Sequence, residues 1–251
     1  MHAARLTRSP YIQPLDKNMA QPGTRKAWQE HQDRRRTEFR ISARSITFRH
    51  LAQTEDQVAA LERRYARPVF GVVKVWDLVQ QLAACVDPAD VDLYNTSQLV
   101  HVLQVLESME DDGVSDPQLQ LAAILHDLGK LLLLADEAPE NVVSINRPIG
   151  SYSPGVGLEN VTFCWNHDEF AYSRFKDYLP AHLSWLIRYH SIDIDASRPY
   201  MNALDHERVE QYLIPFRQHD LGSKSPYHLP KLRLEAYRDL VEDAFPDPIP
   251  F

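Results

Sequence analysis

Glycine is scarce in this chain: 8 of 251 residues, about 3%, against an average of about 7%. A Gly-loop nucleotide binder or a turn-rich β-sandwich would carry more. Cysteine is scarcer still, with only Cys85 and Cys164, which leaves no disulfide framework and no CxxC metal knot. Basic charge is in deficit, 27 Lys and Arg against 35 Asp and Glu for a net charge of −8, and this argues against a nucleic-acid surface as the main function. No run approaches the roughly 18 uninterrupted apolar residues of a membrane helix. The opening MHAARLTRSP has no apolar h-region, so a cytoplasmic, reducing environment is expected. With 44% hydrophobic and 25% charged residues, the composition is that of a folded globular domain. What the chain has in plenty is histidine, 11 residues.

Residues 1–44 are polar and basic, with Arg34, Arg35 and Arg36 in a row. They read as a flexible arm, with a helical patch near Trp28–Arg40, ahead of a domain over 45–251. Thr54 precedes a helix to Tyr65 with Glu55 and Asp56 in its first turn, where the dipole favours anions. Apolar residues recur at helical spacing over 72–84. An acidic break holds Asp87, Asp90 and Asp92, and then Thr96 or Ser97 can cap a helix to Met109. Asp116 followed by Pro117 marks the start of LQLAAILHDLGKLLLLA, apolar on most sides and so central. A loop follows with Gly150, Gly155 and Gly157. Further helices are predicted over 159–176, 180–190, 204–217 and 230–243. Strand signals are nearly absent, so the fold class is an all-α bundle of six to eight helices.

His126 and Asp127 lie inside the most buried of these helices. An ionised aspartate there costs several kcal/mol unless a partner or a metal compensates it. His101 lies on the preceding helix, His167 in WNHDEF, and His190 ends the apolar run LSWLIRYH. Singly each is more often a hydrogen-bonded core histidine than a ligand. Four on the inner faces of successive helices fit a bundle-core metal site, with Asp220 as a further anionic ligand. Four imidazoles and two carboxylates exceed one tetrahedral zinc and suit two ions, and the absence of thiolate favours iron or manganese. Adjacent helix residues diverge by about 100°, which Asp127 satisfies by bridging while His126 binds one metal.

The order H…HD…H…H…D on helices resembles the HD-domain superfamily. The words HVLQVLE (101–107), LHDLGK (125–130), WNHDEF (165–170), IRYHS (187–191) and HDLGSK (219–224) are similar to those of the myo-inositol oxygenase family, over roughly residues 48–251. That resemblance implies an HD-type bundle with a dinuclear centre, and a non-haem diiron oxygenase working from a mixed-valent Fe(II)/Fe(III) pair. Such an enzyme uses O2 as co-substrate to cleave a cyclic polyol, myo-inositol to D-glucuronate. It further implies that His101, His126, Asp127 and Asp220 hold one iron, and that Asp127 bridges to a second completed by His167 and His190. Lys130 would contact the substrate oxygen, and Ser191, Lys224 and Asp87 would contact substrate as well.

Two departures from the family pattern concern the substrate. Where the family has a Gly-Asp pair that hydrogen-bonds the polyol, this chain has Ser144 and Ile145, and isoleucine accepts no hydrogen bond. The segment after it, near 151–160, is shortened. A hydroxylated substrate other than inositol is therefore a second expectation. The small-molecule partner is an alcohol or polyol, with no nucleic acid and no membrane, and the assembly a monomer or small homo-oligomer. The alternative is an HD-type metal-dependent phosphohydrolase, using a metal-bound water and basic residues for phosphate. A third reading is a metal-stabilised binding protein without turnover.

Overall fold

Helix ends in this chain are set by side chains that the sequence places in plain view. In the computed structural model, which describes residues 25–251, α1 (Arg25–Leu51) is followed by α2 (Glu55–Arg64). Thr54 starts α2 with a reciprocal capping box: its hydroxyl accepts from the Gln57 amide while the Gln57 side chain accepts from Thr54, which satisfies two otherwise orphaned donors. A two-residue strand β1 (Val72–Val73) leads into α3 (Val75–Gln81), and the acidic segment 85–96 is irregular. Ser97 caps α4 (Gln98–Asp111), and Asp116 with Pro117 opens α5 (Pro117–Leu125). After a long loop come α6 (His167–Phe175), α7 (Ala181–Tyr189), α8 (Ile194–Ser197), α9 (Ala203–Arg208), α10 (Ile214–Gly222) and α11 (Arg238–Ala244). A closing strand, β2 (Ile249–Pro250), pairs antiparallel with β1, Val72 opposite Pro250.

The fold is all-α, with eleven α-helices among the described residues where six to eight are predicted. The surplus arises where predicted helices divide. The stretch 204–217 splits into α9, a π-turn at Val209–Leu213 and α10. Pro215 has no N–H to donate to the carbonyl four residues back, and its ring crowds that carbonyl, so the helix widens just before it. The run 117–135 also divides: α5 ends at Leu125, and a 3₁₀ segment carries Leu128–Ala135. The helix predicted from 159 begins only at His167, where Asn166 accepts from the Asp168 amide. The one predicted from 230 begins with a 3₁₀ turn at Leu234.

The core is built on α3, α4, α5, the 3₁₀ segment and α7. Leu78, Leu82, Val102, Leu106, Ile124, Leu125, Leu128, Leu131 and Ile187 are all solvent-excluded, each burial worth roughly 1.5–3 kcal/mol. The segment 117–135 is apolar and long enough to span a bilayer, but most of it is buried within the protein. The boundary predicted between residues 44 and 45 falls inside α1, which buries Ala43, Ile46 and His50. Its sequence shows no clear apolar period because so short a part of it packs. Residues 1–24 of the expected arm lie outside the described residues.

Candidate metal centre

The six residues predicted as ligands come from five elements and meet at one point. His101 projects from the first turn of α4, His126 closes α5 as its C-cap, and Asp127 follows at the turn into the 3₁₀ segment. His167 is the first residue of α6, His190 caps α7, and Asp220 lies in the last turn of α10. All six are buried. His126 keeps helical dihedrals as it closes α5, and Asp127 follows at the turn with φ −97°.

Asp127 sits between two histidine pairs. Its Oδ2 lies 3.3 Å from His126 Nε2 and 3.6 Å from His101 Nε2. Its Oδ1 lies 3.2 Å from His167 Nε2 and 3.6 Å from His190 Nε2. Asp220 Oδ1 completes the first group at 3.0 Å from His101 Nε2 and 3.8 Å from His126 Nε2, and the Nε2 atoms of His167 and His190 are 3.3 Å apart. Two ligands bound at about 2.1 Å lie about 3.0 Å apart at a right angle and about 3.4 Å apart at a tetrahedral one. These separations are of that order.

The ring orientations fit metal binding. Nδ1 of His126, His167 and His190 faces the carbonyls of Ala123, Val142 and Ile187 at 2.8, 2.7 and 2.9 Å. Donation there leaves each Nε2 lone pair free to bind a cation, the usual arrangement of a ligating imidazole. His126 Nε2 is buried and makes no hydrogen bond. The neighbourhood also demands positive charge. Among the described residues, the cavity over the cluster brings Asp87, Asp90, Asp92, Asp127 and Asp220 together with Lys130, Lys224 and Arg217, and Asp168 lies against His167. Burial alone would raise Asp127, but His126 and Lys130 hold it well below the usual carboxylate range. Asp220 is likewise held down, by Lys224 and His101 against the effect of burial. Burial pulls His167 downward, yet Asp168 and Asp127 outweigh it and raise the imidazole to about 9. The field that draws a proton onto His167 would equally hold a cation there.

A cavity of about 340 Å³ opens onto this cluster. Lys130 is buried at its floor, with Nζ 3.0 Å from Asp127 Oδ2, 3.0 Å from Asp87 Oδ2 and 3.2 Å from Gln98 Oε1. Burial would weaken its charge, but Asp127, Asp87 and Asp90 raise it well above the ordinary lysine value. Lys224 lines the cavity and pairs with Asp90 at 2.8 Å. Ser191 lines it too, with its hydroxyl donated to Asp168 Oδ2 at 2.5 Å. Ser144 and Ile145 form part of the wall, and Ile145 is 40% exposed. Ser144 holds a φ of +97°, a glycine-like backbone, and its hydroxyl donates to Thr47 Oγ1 at 3.2 Å.

Every sequence-predicted site residue therefore reaches the cluster or its cavity, and several unpredicted ones join them. Asp168 stands 3.0 Å from His167 Nε2 with its Oδ1 buried and without a hydrogen bond; its place next to His167 was the available signal. Asp90 was legible only as one of several loop acids. Thr47 comes from α1, close to the stretch read as an arm, and nothing in its surroundings marked it.

A model of the family described as myo-inositol oxygenase matches residues 42–144 and 139–251. The chain belongs to the myo-inositol oxygenase family. It is 28% identical over 236 residues to a probable inositol oxygenase of Oryza sativa subsp. japonica, covering 78% of this chain and 76% of the relative. Inositol oxygenase 1 of Arabidopsis thaliana is 30% identical over 215 residues, 70% of this chain and 68% of the relative. The inositol oxygenase of Sus scrofa is 27% identical over 181 residues, 59% and 64% respectively. As a member of the myo-inositol oxygenase family the protein is an enzyme of that kind, and the helical fold with a buried His/Asp cluster is consistent with it.

Proposed function

We propose that this protein is a non-haem diiron oxygenase that uses O2 to cleave a cyclic polyol, myo-inositol to D-glucuronate, or a related hydroxylated substrate. The observation that carries the reading is Asp127, whose two oxygens face different histidine pairs. His101, His126, Asp127 and Asp220 would hold one iron, and Asp127, His167 and His190 the second. Bound there, the mixed-valent pair would supply Lewis acidity toward a substrate oxygen and the electrons for dioxygen chemistry.

The chain's own groups do the positioning. Lys130 presents a fixed ammonium beside Asp127, placed to donate to a substrate oxygen and to stabilise its deprotonated form. Asp87 pairs with Lys130 as well and offers acceptor capacity to a hydroxyl. Lys224 and Asp90 form a second such pair at the cavity wall. Ser191 is oriented by Asp168 and Asn166, so its oxygen faces the cavity as an acceptor. Ile145 offers no acceptor, and a hydroxyl facing it forgoes a charge-assisted bond of about 1.5–3 kcal/mol.

The test is oxygen consumption by iron-loaded protein across a panel of polyols and alcohols, with electron paramagnetic resonance of the same samples. A spin-coupled diiron signal and substrate-dependent oxygen uptake are expected. Preferential zinc binding without a coupled signal would overturn the reading. Phosphate release from nucleotides under anaerobic conditions would favour the HD-type phosphohydrolase instead.

A further inference from the structure

One face of α1 does not pack against the core but borders a second cavity, of about 640 Å³. Arg40, Ala43, Arg44, Thr47, Phe48 and Leu51 line it, a helical i, i+3, i+4 series. Ala89 and Val91 of the acidic segment lie opposite. Thr47, Ala89 and Val91 also border the cavity over the metal centre, so the two spaces adjoin along these residues. At about 1.5 Å per residue, Arg44 lies roughly 4.5 Å along the helix from Thr47, and Arg40 roughly 10 Å.

The charge of this second space is unlike that of the rest of the protein. The chain carries a net −8, yet the second cavity is lined by two arginines and no carboxylate. Two acids of the neighbouring segment are engaged elsewhere, Asp87 with Lys130 and Asp90 with Lys224. Arg36, one turn before Arg40, already stacks on Tyr94 and Tyr227. Asp92 shares a third pocket with Arg40 and also lines the cavity over the metal centre. Two guanidinium groups one turn apart, with an apolar floor of Ala43, Leu51 and Val91, suit an oxyanion on an organic stem.

We propose that the natural substrate carries an anionic group, a phosphate ester or a carboxylate, which sits between Arg40 and Arg44 while its hydroxylated part lies at Lys130. The inference rests on the proposed oxygenase reading and names the substrate class of that same site. It also gives Ile145 a context: a substrate anchored by its charge depends less on one hydroxyl contact.

The test uses the full iron-loaded chain and two readouts, calorimetric binding and oxygen consumption. The probes are myo-inositol, myo-inositol 1-phosphate, the cyclic polyol carboxylate quinate, and inorganic phosphate as competitor. The phosphate ester is expected to bind at least about tenfold more tightly than inositol, with the advantage shrinking as salt rises. Arg40→Gln and Arg44→Gln should each reduce that advantage about three- to tenfold, whereas Arg63→Gln on α2 should leave it in place. Quinate binding as tightly as the ester would assign a carboxylate, and weaker binding a phosphate. Equal affinity for inositol and both anions, or an advantage indifferent to the arginines, would overturn the proposal. Arginine-dependent binding without oxygen uptake would retain the anion site and sink the oxygenase reading. Oxygen uptake confined to neutral polyols would do the reverse.

Discussion

Asp127 is the residue on which the centre turns, because removing one charge there affects both histidine pairs. Asp127→Asn is expected to bind less than half the iron of the unaltered protein and to lose activity by at least about a thousandfold, measured by metal analysis and oxygen uptake. Retention of both irons would mean that Asp127 does not bridge. Ile145→Asp should lower KM for myo-inositol by about ten- to a hundredfold, the equivalent of one charge-assisted hydrogen bond of about 1.5–3 kcal/mol. An unchanged KM would show that no substrate hydroxyl faces this position. Gly129 illustrates a different kind of necessity. A Cβ on it would lie 2.1 Å from the carbonyl oxygen of His167, so the glycine is what lets α6 approach the 3₁₀ segment closely enough to deliver His167. Gly129→Ala should therefore reduce metal occupancy as well as stability, by metal analysis and thermal denaturation.

At the scale of elements, the caps were readable and the breaks were not. Thr54, Ser97 and Asp116 each accept from a helix-start amide as their sequence positions foretold. The division of 117–135 was hidden because LLLL is as compatible with an α-helix as with the 3₁₀ turn found there. Just beyond the division Gly129 packs against α6, a contact between segments 38 residues apart that no local pattern records. The place of α1 was equally hidden. Its C-terminal end is fastened by His50 Nδ1 to the Glu140 carbonyl at 3.0 Å and by Arg49 to the Glu140 carboxylate at 2.9 Å. Burial, only partly offset by that carbonyl, holds His50 below its ordinary 6.5. The unfolded chain then takes the proton more readily than the folded one. The contribution of His50 to stability is complete above about pH 6.5 and declines as pH falls through the depressed value. The stability gap between the unaltered protein and His50→Gln, followed by thermal denaturation, should accordingly narrow from pH 7.5 to 5.5.

For the whole molecule, the candidate metal centre draws the elements together at one point. Its six candidate ligands belong to α4, α5 and the turn after it, α6, α7 and α10, so an ion binding only the folded state stabilises all of them together. At a thousand times its dissociation constant such a ligand adds about 4 kcal/mol, which for a chain of this size moves Tm by roughly 8–16 °C. Removal of metal by a chelator should lower Tm by that order, and its return should restore it. The grouping of these six residues was legible in the sequence because histidine inside apolar helices is conspicuous. The cavity was only half legible: its floor is drawn from the same motifs, but part of its wall is Thr47 of α1 and Ala89 and Val91 of the acidic segment.

Ser144 keeps a left-handed backbone, φ +97°, that a glycine would hold without the cost of about 1–3 kcal/mol borne by other residues. The turn thus has the shape suited to the Gly-Asp pair of the resembling enzymes while carrying Ser-Ile. At this turn the difference from that pair is two side chains on a main chain already shaped for glycine. The double exchange Ser144→Gly with Ile145→Asp is a short path along which one substrate preference could pass into the other without the scaffold having to be rebuilt.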